Sequence, residues 1–390
     1  MPATKPPQRR HFGSIRRLRS GRWQARYQDS LGRVHAAPRT FATRREAERY
    51  LVHTESDMER GAWQDPRLAQ TTFGEWVEEY LATASHKRAT TAARDRAVLR
   101  KHLLPALGSR ALGSITPRDV QRLVATMAQR LAPASVRTNY GVLRAVLNAA
   151  VAADLIARSP CRGIKLPAAG RTHPIRFLSP EELVRLADAM PAEYRPMVYL
   201  AGVLGLRWSE IAGLRVGRLD LMRRTLHVAE TLSEVEGVVM AADVKSRAGR
   251  RTLELPSFVV AMLADHLAGR GLTGAEPDAL VFASPDGGPL RPANFRSRVW
   301  GPAVRAAGFE GEGLTFHHLR HSAVGLLIDA NAALAVMQKR MGHASIRTTL
   351  DVYGHVLPAT DHATTTHLEG LFPDPTGEVT GTLLARRPKK

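Results

Sequence analysis

From Phe73 to about Ala157 the chain repeats apolar residues at a helical period, and no other stretch limits the fold as strongly. Phe73, Trp76, Val77, Tyr80 and Leu81 stand at i, i+3, i+4, i+7 and i+8. Similar stripes run through Val98 to Leu107, Val120 to Leu131 and Val136 to Ala153. Thr116-Pro117 gives the third of these a capping hydroxyl and a first-turn proline. The spacing predicts a four-helix domain over residues 70–157, because each stripe needs the others to cover it. Two connectors flank it: a polar one at 61–70 with Pro66, and RSPCRGIKLPAAGRTHP at 158–174, whose prolines and glycines read as an interdomain linker.

Before the helices the period changes to two. Residues 14–41 form three short β-like pieces with turns at Ser20-Gly21 and Asp29 to Gly32, and Trp23, Ala25 and Tyr27 alternate with Gln24 and Arg26. Thr43 followed by Glu46 is a capping-box pattern that opens a helix running to Met58. The first 45 residues hold twelve Lys and Arg against one acid, Asp29. The expected unit, 1–65, is a small basic sheet backed by a helix, with Arg16, Arg17, Arg19, Arg22 and Arg26 as candidate DNA contacts. A basic tail with a weak hairpin is the alternative. Lys87, Arg88 and Arg137, on the polar faces of the helical segment, could track a DNA backbone or be ordinary solvated residues.

Charge names the class of partner. Over 390 residues, 56 Lys and Arg against 36 Asp and Glu leave a formal charge of +20, which calls for a polyanion, either nucleic acid or an anionic membrane surface. The longest apolar run, Met197 to Leu206, is too short to span a bilayer. The lone Cys161 can form neither an intramolecular disulfide nor a thiolate zinc site by itself. A soluble cytoplasmic protein is expected, with nucleic acid favoured over membrane.

Residues 175–371 form the third expected domain, followed by a tail at 372–390. Ser179-Pro180-Glu181-Glu182 caps a helix, and β-like segments at 225–229, 238–245 and 251–255 interrupt an otherwise helical pattern. The chain has no Gly-Lys dipeptide, hence no Walker A loop, and no G-x-G-x-x-G follows a strand. An ATP-driven helicase and a dinucleotide enzyme are therefore disfavoured. The densest chemistry lies in TFHHLRHS, 315–322. On a helix His317 and Arg320 project from one face, where imidazole and guanidinium could both donate to a phosphate. His317 and His321 also have the spacing of a helical metal pair, but the Glu of H-E-x-x-H is missing, and buried hydrogen-bonded histidines are a third reading. In GLRWSE, 205–210, Glu210 stands three residues after Arg207 and can hold its guanidinium. Met341-Gly342-His343 and Tyr353-Gly354-His355 lie downstream, and Lys245 lies in VKSRAGRRTLELP at the expected tip of a β-hairpin.

Taken in order, G-L-R-W-S-E, H-H-L-R-H, M-G-H and Y-G-H resemble the tyrosine recombinase, or phage integrase, family. The tyrosine stands ten residues after His343 and 33 after Arg320. The motifs cover about 174–358; the four-helix segment resembles the family's core-binding domain and the basic head its arm-type DNA-binding domain. The implied fold is multidomain and mainly α with small β elements. The resemblance implies phosphate-binding arginines at Arg207 and Arg320, box histidines at His317 and His343, an acid at Lys245 and a nucleophile at Tyr353. It also implies cleavage through a 3′-phosphotyrosine without metal or nucleotide cofactor. The partners it implies are double-stranded DNA attachment sites, a homotetramer on DNA with 357–371 as a candidate intersubunit segment, and an accessory directionality or DNA-bending protein. Two positions depart from the family's usual residues: His318 stands where Asp is common and Met341 where Leu is. A chromosome-dimer resolvase, a type IB topoisomerase and a non-enzymatic DNA-binding regulator are the alternatives.

Overall fold

The computed structural model describes residues 12–30, 32–60, 63, 65, 67–83, 87–168, 176–244, 247–342 and 345, apart from the side chain of Arg247. Lys245, His343 and Tyr353 lie outside the described residues, as do 357–371 and the tail. Contacts within the chain divide it into two units, Met1–Thr172 and His173–Lys390.

The first unit opens with an antiparallel sheet of β1 (Ser14–Arg17), β2 (Trp23–Gln28) and β3 (Val34–Ala36), in that order. Gly21 and Gly32 take positive φ at the two turns, which a residue with a Cβ adopts only at a cost. The alternation read from the sequence sorts the faces: Ala25 and Tyr27 are buried against Ala47 and Leu51 of α1 (Arg44–Glu59), while Arg16, opposite Gln24, and Arg26 lie on the outer face. The capping box forms, with the Glu46 amide donating to Thr43 Oγ1 at 3.2 Å. A buried polar cluster completes this fold: His35 places Nε2 2.9 Å from Asp29 and Nδ1 3.4 Å from Asp65, with Tyr27 stacked on its ring.

The helical part follows as α2 (Phe73–Thr83), α3 (Ala89–Val98), α4 (Leu104–Leu107), α5 (Pro117–Ala128) and α6 (Pro133–Ala152). A π turn over Leu99–Leu103 joins α3 to α4, and Pro105, which has no amide proton to give the preceding turn, lies just beyond it. The predicted stripes make one core, in which the Trp76 indole donates to the Val146 carbonyl at 2.9 Å.

The second unit is mostly helical. Its centre is α8 (Arg195–Gly202), whose Met197, Val198, Leu200 and Ala201 are buried and which packs against α7 (Pro180–Asp188), α10 (Ser257–Gly269) and α13 (Phe316–Asp329). Between α8 and α10 come α9 (Trp208–Ala212) and the strands β4 (Leu219–Asp220), β5 (Thr225–Val228), β6 (Glu230–Val235), β7 (Val238–Asp243) and β8 (Arg251–Glu254). After α10 the chain forms α11 (Pro292–Phe295), a π turn over Arg296–Trp300, and α12 (Gly301–Ala306); α14 (Leu334–Met341) follows α13.

The strands correct one expectation. The segments 238–245 and 251–255 are not the two arms of a hairpin: β7 pairs with β6 around Glu236-Gly237, whereas β8 pairs with β5 in a separate β4-β5-β8 sheet. Lys245 itself lies outside the described residues; in sequence it stands between β7 and the 3-10 turn Arg247–Gly249. The reason for the different pairing is β6 itself, whose sequence ETLSEV is polar enough to pass for a loop yet supplies the partner that β7 needs. Among the described residues no helix is long and apolar enough to cross a membrane.

Candidate active site

Three of the residues singled out from the sequence meet in the second unit. A tight turn leads into α9: Gly205 takes φ +74°, and a Cβ there would lie 2.7 Å from the Met341 sulfur. That turn exposes the Gly205 carbonyl, which accepts from Arg320; the other end of the same guanidinium donates to the Met341 carbonyl. Arg320 thus donates to main-chain oxygens of the Gly205 turn and of the last residue of α14, and only 3% of it is exposed.

Arg207 stands at the N-cap of α9, where Glu210 closes a capping box by accepting the Arg207 amide at 2.9 Å. The same carboxylate takes the Arg207 guanidinium at 2.7 Å, so the predicted support by Glu210 exists at both ends of the arginine. The Arg207 side chain remains 37% exposed while that of Glu210 is 1% exposed. One edge of the guanidinium is therefore open to an incoming anion.

Glu210 has a second partner that the motif spacing did not announce. Arg251, at the start of β8, donates to both of its oxygens at 3.1 and 3.0 Å, and also reaches the carbonyls of Gly249 at 3.1 Å and Arg340 at 2.6 Å. Burial pushes the Glu210 carboxyl up, but the hydrogen bonds and charge of Arg251, together with Arg207, outweigh it and hold the group below the usual glutamate value of 4.5. The clue lay in the strand period: Arg251, Leu253 and Leu255 are the inward positions, and a cation there needs a buried anion.

On α13, His317 occupies the first turn. Burial lowers its pKa first, and the positive charges of Arg320 and Arg207 lower it further, so the surroundings favour the neutral ring. Its ring meets His321 edge-on with centroids 4.9 Å apart. Among the described residues no cluster of three or more His, Cys, Asp or Glu is placed to hold a metal ion. His318 plays a structural part, since its Nδ1 accepts the Thr315 amide at 2.9 Å and an imidazole thereby completes the capping box in place of a carboxylate. Next to His317 opens a cavity of about 500 Å³ lined by Trp208, Phe295, Trp300 and Phe316.

α14 ends at Gly342, one residue before His343, in the left-handed region at φ +61°. A Cβ there would stand 3.0 Å from both the Ala248 carbonyl and the Arg251 guanidinium, so the glycine lets helix end and strand start approach each other.

The proposed DNA contacts in the first unit differ in their freedom. Arg26 and Arg19 are exposed, Arg16 is bonded to Gln24, Arg17 sits over Trp23, and Arg22 donates to Thr40. Arg88 is exposed at the start of α3. Lys87 is engaged by Tyr80 and Asp95, both at 2.8 Å, and Arg137 by the Pro167 carbonyl.

Comparison with known proteins gives the architecture its kin. The phage integrase family profile matches residues 176–360, the phage integrase N-terminal domain 11–60, and the phage integrase central domain 73–166. A prophage phiRv2 integrase of Mycobacterium tuberculosis is 33% identical over 366 residues, covering 93% of this chain and 96% of that one. The chain belongs to the phage integrase family. Among other family members, the integrase of Mycobacterium phage L5 is 28% identical over 354 residues, covering 88% of this chain and 93% of its own. Two solved structures share the phage integrase fold. The Tn1549 transposon integrase in complex with transposon right end DNA has a TM-score of 0.64 at 21% identity, over 76% of this chain and 99% of that one. A lambda integrase dimer bound to a core site has a TM-score of 0.54 at 19% identity, over 88% and 94%.

Proposed function

We propose that this chain is a site-specific DNA recombinase that integrates and excises a phage or other mobile element. The observation that carries the reading is the meeting of Arg207, Arg320 and His317 around the Gly205 turn, with one guanidinium edge of Arg207 left open. Two fixed cations and an imidazole suit a phosphodiester that gains negative charge as it is attacked.

In this reading Tyr353 Oη bonds to the scissile phosphorus while the bond from phosphorus to the 5′ oxygen breaks. The phenol gives up its proton to His317 or to water, and Lys245 supplies one to the leaving 5′ oxygen. The 3′-phosphotyrosine retains the bond energy, so rejoining draws on neither nucleotide nor metal. The residues 1–65 and 70–157 serve as arm-type and core-binding DNA domains, the 158–174 connector is the linker to the catalytic domain, and the working form is a homotetramer on two attachment sites. The relatives' names, integrase of a prophage and of a mycobacteriophage, favour integration over dimer resolution.

The test is covalent trapping on DNA flanking the gene, in EDTA, with wild type and Tyr353→Phe side by side on a denaturing gel. An adduct with wild type alone is expected. Tight binding without adduct in either protein would point instead to a non-enzymatic regulator, and an adduct with both would remove Tyr353 from its role.

A further inference from the structure

The side chain of Arg251 is 2% exposed, and four hydrogen bonds tie it to three separate pieces of chain. Two go to Glu210, which itself grips Arg207; one goes to the Gly249 carbonyl in the turn before β8; one goes to the Arg340 carbonyl in the last turn of α14. We propose that Arg251 is a positioning residue for DNA cleavage, which fixes the guanidinium of Arg207 through Glu210 and locks the turn at 247–249 and the end of α14 to the same point. The proposal rests on the recombinase reading above and adds to it a residue that touches no substrate.

Charge and geometry both favour this role. One carboxylate serves two guanidiniums, so the Arg207–Glu210–Arg251 group carries a net charge of +1. Without Arg251, the Glu210 carboxylate would face Arg207 alone and cancel the charge that Arg207 offers to a phosphate. A planar fork is also required, since Nε, Nη1 and Nη2 point to different acceptors and a lysine ammonium presents one point charge. Gly342, whose missing Cβ leaves room 3.0 Å from Arg251 Nη1, is shaped to the same fork. In sequence Gly249 follows Lys245 by four positions and Arg340 precedes His343 by three, so the piece of chain bonded at each carbonyl continues into a motif of the recombinase reading.

The experiment uses the full chain and a nicked duplex taken from the gene's flank, which traps the covalent complex. Single-turnover cleavage, DNA affinity and near-ultraviolet circular dichroism are measured for wild type, Arg251→Met, Arg251→Lys, Glu210→Gln and the Glu210→Gln/Arg251→Met pair, well below the melting temperature of each. The expected result is unchanged affinity with cleavage slower by roughly 100-fold in Arg251→Met, the scale of a 1 Å misplacement. Arg251→Lys, which keeps the buried charge and guards against a misfolded Met variant, should still be at least about 10-fold slow because the fork is lost. The double variant should be little slower than Arg251→Met alone, since both residues act through Arg207. Wild-type cleavage rates per folded molecule in Arg251→Met or, if that variant does not fold, in Arg251→Lys would overturn the proposal, as would a fall in DNA affinity that accounts for the whole loss. A wild-type protein that forms no Tyr353-dependent adduct would overturn the recombinase reading and this proposal together, whereas normal wild-type trapping beside an undiminished variant overturns this proposal alone.

Discussion

Replacing Glu210 with glutamine keeps the size of the side chain and removes one buried charge. The pair with Arg251 is 2% and 1% exposed, so the loss leaves a guanidinium in the interior facing a neutral amide. Breaking such a pair from one side costs about 3–5 kcal/mol. The pair with Arg207 adds at most about 1 kcal/mol, because more than a third of that arginine is in solvent. The glutamine oxygen still accepts one hydrogen bond, which favours the low end, about 3 kcal/mol. For a unit of roughly 200 residues this lowers the melting temperature by about 6–12 °C. Calorimetry of Glu210→Gln against wild type at pH 7 gives the shift, and repeating it at lower pH tests the cause. The folded carboxyl titrates below its ordinary 4.5, so it contributes stability that is fully present above 4.5 and lost as pH falls through the folded value. The gap between the two proteins should therefore narrow from pH 6 to pH 3. A shift under about 2 °C at pH 7, or a gap that does not narrow in acid, would refute an ionised Glu210 held by a buried Arg251.

Other consequences follow from the same geometry. Gly205→Ala should cost about 1–2 kcal/mol for the left-handed backbone plus the displacement of the Met341 thioether, read as a lower urea midpoint, and equal midpoints for Gly205→Ala and wild type would contradict it. In the free protein the His317 ring should titrate below 6.5 by NMR, as burial and two arginines require; a midpoint above that value would mean the ring is not seated against Arg320 and Arg207. In the N-terminal head, His35→Leu removes one partner from each of Asp29 and Asp65, which keep Arg33 and Arg67, and should lower the stability of that fold by about 1–2 kcal/mol, read from its thermal transition.

The periodic parts of the molecule were legible because each is a local instruction. The stripes from Phe73 to Ala153 became helices with one shared core, and the caps at Thr43, Thr116 and Ser179 all formed. The Glu210 contact with Arg207 was also local, three residues apart. What the sequence hid depends on distance. Arg251 finds its anion 41 residues upstream, and the strand period that turns it inward with Leu253 and Leu255 does not say which anion it meets. Strand β6 was missed because Glu230, Thr231, Ser233 and Glu234 carry no apolar run, and its place is set by pairing with β7. His318, conspicuous as the residue that departs from the family's Asp, turns out to supply the one acceptor lone pair that a cap requires.

Arg320 donates to the carbonyls of Gly205 and Met341. Its address is written in the path of the main chain, which every residue type carries alike. A side chain at position 341 can thus be exchanged without erasing the acceptor, and the turn at 205 can be moved only by changing its backbone. For anyone retargeting this protein to new DNA, the practical rule is that residues facing the duplex are open to redesign, while the length of the turn between α8 and α9 around Gly205 must be copied unchanged.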